Sequence, residues 1–169
     1  MVNNKLVGLL IESWKDMDRV LDGLDETTAT QPTHGSSSFA WTLAHVTNQV
    51  DAAINVQFQK MYRHKLIGQK RFRFGGTGEA NEWDDIKSGV EEVRANARKY
   101  LEDLDDQEID LTIPYDGSIG WLRSKGLNLR YTLYRACTHH YFHIGEIASK
   151  RNRMGHEVGD YPGLLEESI

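Results

Sequence analysis

The sequence predicts an all-α protein, a four-helix bundle with a small β-hairpin or extended connector before its last helix. Three observations lead there. Residues 5–24, 39–63, 83–104 and 128–154 carry apolar side chains at three- and four-residue steps, the spacing that gathers one face of a helix. Between them lie segments rich in Thr, Ser, Gly and Pro, with turn chemistry. Residues 109–114 alternate apolar and polar as a half-buried strand does.

In the first helix, Leu6, Leu9, Leu10, Trp14, Met17, Val20, Leu21 and Leu24 form the buried face, Asn3 or Asn4 supplies a cap, and Gly23 ends the last turn. Residues 25–38 form a loop that closes on Ser36, Ser37 and Ser38, an N-cap for the second helix. The apolar residues of that helix wrap broadly round it, from Phe39 and Trp41 to Phe58 and Met61, which places it centrally in the bundle. The third helix runs from Trp83 along Ile86, Val90, Val93, Ala97 and Leu101, with Glu91, Glu92, Arg94, Arg98 and Lys99 on its solvated side. Residues 109–114 pair with Trp121, Leu122 and Arg123 across a Gly-containing turn, and Asn128 caps the fourth helix. Beyond Gly155 a tail is held down by Tyr161 and Leu164.

At 169 residues the chain is expected to be a single domain, residues 1–169, with a core large enough to need no staple. Its one cysteine, Cys137, can form no intrachain disulfide, which fits a reducing compartment and makes the cytoplasm the expected location. The short apolar run at residues 6–11 is followed by Glu12, Asp16 and Asp18, unlike a signal peptide, and no stretch has membrane-spanning length. A net charge of −5 argues against a nucleic-acid surface, since phosphate backbones are met by basic faces.

Three of the seven histidines fall within five positions of the fourth helix, His139, His140 and His143. His139 and His143 are four apart and so share a face, where two imidazoles can converge on one divalent ion. Thr132, Ala136 and Ile147 make that face inward-turning, and two neutral imidazoles placed there each need a partner. His45 lies on the second helix, on a strip continued by Asn48, Gln49 and Ala52. It reads either as a core histidine bonded to a neighbouring helix or as a third ligand; with it, three nitrogens from two helices leave a coordination position open.

The zinc-protease pattern is excluded, because the position after His139 is His140 where a glutamate is required. His140 turns about 100° from His139, to an outer-shell or surface position, and Cys137 about 200°, into packing. Glu146, one turn beyond His143, either orients a ligand or pairs with Lys150 at i,i+4. Gly145 within the helix suggests close approach of another backbone. The basic segment Lys60, Arg63, Lys65, Lys70, Arg71 and Arg73 either complements a helix dipole and solvates a loop or forms an anion-binding lip, with Lys60, Arg63 and Arg71 as contacts for a thiol or other anion.

Ala44-His45-Val46 in a second helix, followed by His139-xxx-His143-Ile144-Gly145-Glu146-Ile147 in a fourth, resembles the DinB-like superfamily, which includes S-transferases that use mycothiol or bacillithiol. The resemblance implies a four-helix bundle, often a homodimer, with nickel or zinc held by His45, His139 and His143. Mycothiol-using relatives commonly carry glutamate at the position of His139, so three histidines resemble the bacillithiol-type branch. Many relatives carry glutamine where this chain has Glu146.

The function expected is transfer of a low-molecular-weight thiol such as bacillithiol to an electrophilic small molecule at a divalent-metal site. There a coordinated thiol ionises at neutral pH. The alternatives are metal-assisted hydrolysis, for which Glu146 is the available base, and a non-catalytic dimeric stress-response bundle with a structural or vestigial ion.

Overall fold

A computed structural model describes residues 4–32 and 36–166 and confirms the all-α bundle. Its long elements are α1 (Lys5–Leu21), α3 (Phe39–Val50, continued by a π-helix over Asp51–Phe58), α4 (Trp83–Leu101) and α6 (Leu129–Arg153). Helix α1 packs chiefly along α6, while α3 packs against both α4 and α6. Val7, Leu10, Met17, Val46, Ile54, Ile86 and Leu133 are among the fully buried side chains where these helices meet.

Three of the four long helices have an N-terminus satisfied by a side chain; α4, which follows Glu82, has no such cap. Asn4 accepts from the N–H groups of Leu6 and Val7, Ser38 from Trp41, and Asn128 from Tyr131. Asn3, the other candidate cap for α1, lies outside the described residues. The first loop is not wholly irregular: Asp25 caps one short helix within it, α2 (Glu26–Thr30).

The second helix departs from the predicted α-helix, which would reach residue 63. After Val50 it widens, and the Gln59 N–H reaches back five residues to the Ile54 carbonyl at 3.2 Å. The wider turn sends two polar residues inward: Asn55 donates to the Val93 carbonyl at 3.1 Å and Asp51 accepts the His64 N–H at 3.1 Å. Lys60 then takes a left-handed conformation, φ 59°, and ends the element.

Before the last helix a two-stranded antiparallel ladder is present, with a corrected partner. Thr112–Ile113 (β1) pairs with Leu127–Asn128 (β2), whereas Trp121, Leu122 and Arg123 lie in a short helix, α5 (Gly120–Lys125). One helical turn buries Leu122, and Gly126 at φ 84° then redirects the chain into β2. In the tail, Tyr161 packs on the core beneath the Arg19 guanidinium, but Leu164 is 82% exposed rather than packed. Among the described residues no helix is long and apolar enough to cross a membrane.

Candidate metal centre

α3 and α6 face each other where His45 meets His139 and His143. One ring nitrogen from each lies within 4.8 Å of the other two, and among the described residues this is the one such group of three His, Cys, Asp or Glu side chains. The rings meet edge to face, with centroids 4.7 Å apart for His139 and His143, 4.9 Å for His45 and His139, and 5.2 Å for His45 and His143.

Hydrogen bonds fix which nitrogens face inward. His45 Nδ1 lies 2.7 Å from the Phe72 carbonyl, which only accepts, so this nitrogen carries the proton and Nε2 keeps its lone pair. His143 Nδ1 is likewise 2.7 Å from Glu146 Oε2, leaving its Nε2 to face His139 Nε2 at 3.2 Å. Burial and the neighbouring His143 and His45 push the His139 imidazolium down to about 3, and burial also lowers His45. Neutral imidazoles with converging lone pairs are what a divalent transition ion requires.

The spacing of His139 and His143 agrees with that requirement. Two nitrogens each bonded to one ion at about 2.0–2.1 Å in a tetrahedral arrangement stand roughly 3.3–3.4 Å apart, against 3.2 Å between the two Nε2 atoms here. The donor set fits a divalent metal, which His45, His139 and His143 would hold.

The surroundings are built from both helices. The segment after the π-helix is clipped along α3: Asn48 donates to the carbonyls of Ile67 at 2.6 Å and Gln69 at 3.3 Å, and Trp41 Nε1 donates to the Arg71 carbonyl at 2.7 Å. Those bonds place the Phe72 carbonyl over His45, while the Trp41 indole stacks on the His45 ring at 4.7 Å and 9°. On α6, the second Glu146 oxygen binds the Lys150 ammonium at 2.5 Å, and Lys150, only 6% exposed, also donates to the Ser37 carbonyl at 2.9 Å. The bond from His143, followed by Lys150, holds the Glu146 carboxyl down at about 2, so it is an anion at neutral pH.

The other sequence candidates are distributed as follows. His140 is neither an outer-shell group nor a surface residue; it is wholly buried, and its Nδ1 donates to the Ala136 carbonyl at 2.8 Å. Cys137 is buried, and burial pushes its thiol up to about 12, as packing requires. No backbone approaches Gly145; a Cβ there would meet open space. Arg71 turns to Glu82 at 2.8 Å and to Gln69. Arg63 lines a cavity of about 350 Å³ with Asp51, His64 and Glu92, and Lys60 lines a cleft of about 750 Å³ with Tyr115, Arg123 and Lys125. The three histidines line neither.

Fold and centre together define a class, a helical bundle in which three histidine nitrogens from two facing helices converge, a donor set that one divalent ion would fit. The chain belongs to the DinB superfamily, whose sequence model matches residues 9–147, a stretch that contains all three histidines. None of the curated proteins compared with the chain matches it.

Proposed function

We propose that this protein is a divalent-metal-dependent transferase that joins a low-molecular-weight thiol to an electrophilic small molecule. The observation that carries the reading is the convergence of three imidazoles, two with Nε2 atoms 3.2 Å apart, with His45 and His139 partly exposed. When bound, the ion would supply Lewis-acid stabilisation of a thiolate at neutral pH. Zinc and nickel suit such imidazole donors, and bacillithiol is the thiol to which the histidine pattern points.

The chain's own residues prepare the site. The Phe72 carbonyl and the Glu146 carboxylate hold the Nδ1 protons of His45 and His143 and so fix both tautomers. Trp41 covers one flank of His45, and Phe142, 71% exposed, stands edge-on to His143 with centroids 5.0 Å apart. Cys137 does not compete as a nucleophile, because its buried thiol stays protonated.

Hydrolysis is the weaker reading. Its base would be Glu146, whose two oxygens are taken by His143 and Lys150 and whose basicity is correspondingly low.

The test pairs metal analysis with conjugation. Purified protein is expected to hold about one zinc or nickel per chain, and the double variant His139→Ala/His143→Ala none. Metal-loaded protein is expected to conjugate bacillithiol to a model electrophile such as monochlorobimane. A fully loaded protein that conjugates neither bacillithiol nor cysteine to any electrophile offered refutes the transferase reading while leaving the centre intact.

A further inference from the structure

We infer that the cleft between the end of the second helix and the β1–α5 connector binds a small organic dianion, a phosphate monoester or a dicarboxylate with an apolar body. The inference lies beyond the transferase reading, since none of the three histidines lines this cleft. Thr112, in its wall, pairs with Asn128, about three helical turns before His139.

Lys60, Arg123 and Lys125 line the cleft, whose volume of about 750 Å³ suits a small molecule, and Asp116 is the one carboxylate among its lining residues. Among the described residues none of these three cations pairs with a carboxylate. Arg123 Nε donates to the Gly117 carbonyl at 2.8 Å, which anchors the guanidinium and leaves its Nη groups for an incoming anion. The chain as a whole carries a net charge of −5, so an excess of cations in one cleft is a local arrangement and not a reflection of composition. Compensation of helix dipoles would account for a cation at the end of the second helix or of α5, but not for the gathering of all three on one cleft.

The backbone at Lys60 supports the same assignment. Its φ of 59° is left-handed, at the residue that closes the second helix, where the Lys60 N–H reaches the Val56 carbonyl at 3.1 Å and the Met61 N–H the Asn55 carbonyl at 3.0 Å. Glycine is the usual occupant of such a position, because it has no Cβ to crowd the turn. A lysine held there brings its side chain to the cleft at a conformational cost that glycine would avoid. Val56, Ile113 and Tyr115, all half-buried, add apolar surface beside the cations, and the Tyr115 hydroxyl is held by the Ile119 N–H at 3.4 Å. Charge for a dianion and apolar surface for its body therefore meet in one place.

The test is calorimetric titration of the purified protein near pH 7.5 with phenyl phosphate and phthalate, both dianions there, and with neutral benzyl alcohol. The parent is expected to bind at least one dianion with a Kd of about 1 mM or tighter and benzyl alcohol about tenfold more weakly, the dianion affinity falling as salt rises from about 0.05 to 0.5 M. The tighter of the two dianions names the class. Lys60→Gly is expected to weaken binding about tenfold while its melting temperature stays level or rises, and Arg123→Met to weaken it likewise. Lys99→Met, on the solvated side of α4, is expected to bind as the parent does, and so is the parent after chelation of its metal.

No heat from either dianion up to about 20 mM overturns the inference. So does an affinity unchanged in Lys60→Gly or Arg123→Met, or benzyl alcohol bound as tightly as the dianions. Loss of binding on chelation assigns the anion to the metal instead, and an equal loss in Lys99→Met reduces it to unspecific attraction; either result overturns the inference.

Discussion

Replacing Glu146 tests whether the contacts behind His143 govern both stability and metal affinity. In Glu146→Ala the His143 Nδ1–H loses an acceptor at 2.7 Å, and the Lys150 ammonium loses its counter-ion, keeping only the Ser37 carbonyl at 2.9 Å. Breaking a fully buried ion pair costs about 3–5 kcal/mol. The Glu146 side chain is 28% exposed, so water recovers part of that, and a loss of roughly 2 kcal/mol is expected. Removing a group that orients a metal-bound histidine lowers affinity by about 10–100-fold. Glu146→Gln keeps an acceptor for Nδ1 and is expected to lose less affinity than Glu146→Ala.

Urea unfolding of metal-free protein at pH 7 measures the first quantity, and competition with a chromophoric chelator measures the second. Lys150→Met and the double variant complete a cycle in which the two losses are expected to overlap by at least about 1 kcal/mol, because each single change strands the other charge. The pH dependence has a definite sign. The folded carboxyl titrates at about 2 against an ordinary 4.5, so the Glu146 contribution is whole above pH 4.5 and disappears as the pH falls towards 2. Glu146→Ala losing under about 0.5 kcal/mol and under threefold in affinity, with an additive double variant, would refute the reasoning.

Three further outcomes are expected. Arg151→Met removes donations to the Val20 and Asp22 carbonyls, both at 2.8 Å, that tie α6 to the end of α1; a loss of about 2–3 kcal/mol in urea unfolding follows, and a change under about 0.5 kcal/mol would contradict it. Gly126→Ala forces a side chain into φ 84°, with its Cβ 2.6 Å from Thr112 Cγ2 and 2.7 Å from the Ile113 oxygen; a melting temperature lower by several degrees is expected, and an unchanged one would count against the β1–β2 geometry. Burial raises the Asp51 carboxyl above its ordinary 3.8, so its contribution is present below pH 3.8 and is lost as the pH rises through the folded value. Asp51→Asn keeps an acceptor for the His64 N–H and should therefore gain relative to the parent as the pH rises to 7; no such divergence between the two pH–stability curves would refute it.

The parts of this architecture that depend on side-chain spacing were legible in the sequence. The i,i+4 pair His139 and His143 on an inward face, and His45 on an otherwise apolar helix, needed only the helical repeat. Other parts had no letter to read. The Phe72 oxygen that fixes His45 is a backbone atom, and it reaches the ring because Trp41 and Asn48 bind other backbone atoms of the same loop. The π-helix left no trace either, since Ala53, Ile54, Val56 and Phe58 continue an apolar pattern whether the turn has the α or the wider spacing. Trp121, Leu122 and Arg123 invite a strand through composition, yet burying Leu122 in one helical turn and placing Gly126 after it settles the contest for helix. His140 could be placed by angle but not by depth, because angle alone does not say how closely neighbouring helices cover that side of α6.

The clip between α3 and its following loop gives the centre an unusual kind of inheritance. Three side chains of α3 hold four carbonyls, so the atom that tunes His45 is supplied by a residue whose identity is irrelevant to the tuning. Substitution at position 72 changes what fills the core, while the proton on His45 keeps its acceptor as long as Trp41 and Asn48 keep theirs. Genetic drift in the loop is thereby uncoupled from the chemistry of the ligand, and a scan of position 72 would register as a packing phenotype with metal affinity preserved. An amide-to-ester replacement at that linkage, which weakens the carbonyl as an acceptor and leaves the Phe72 side chain alone, would show the reverse.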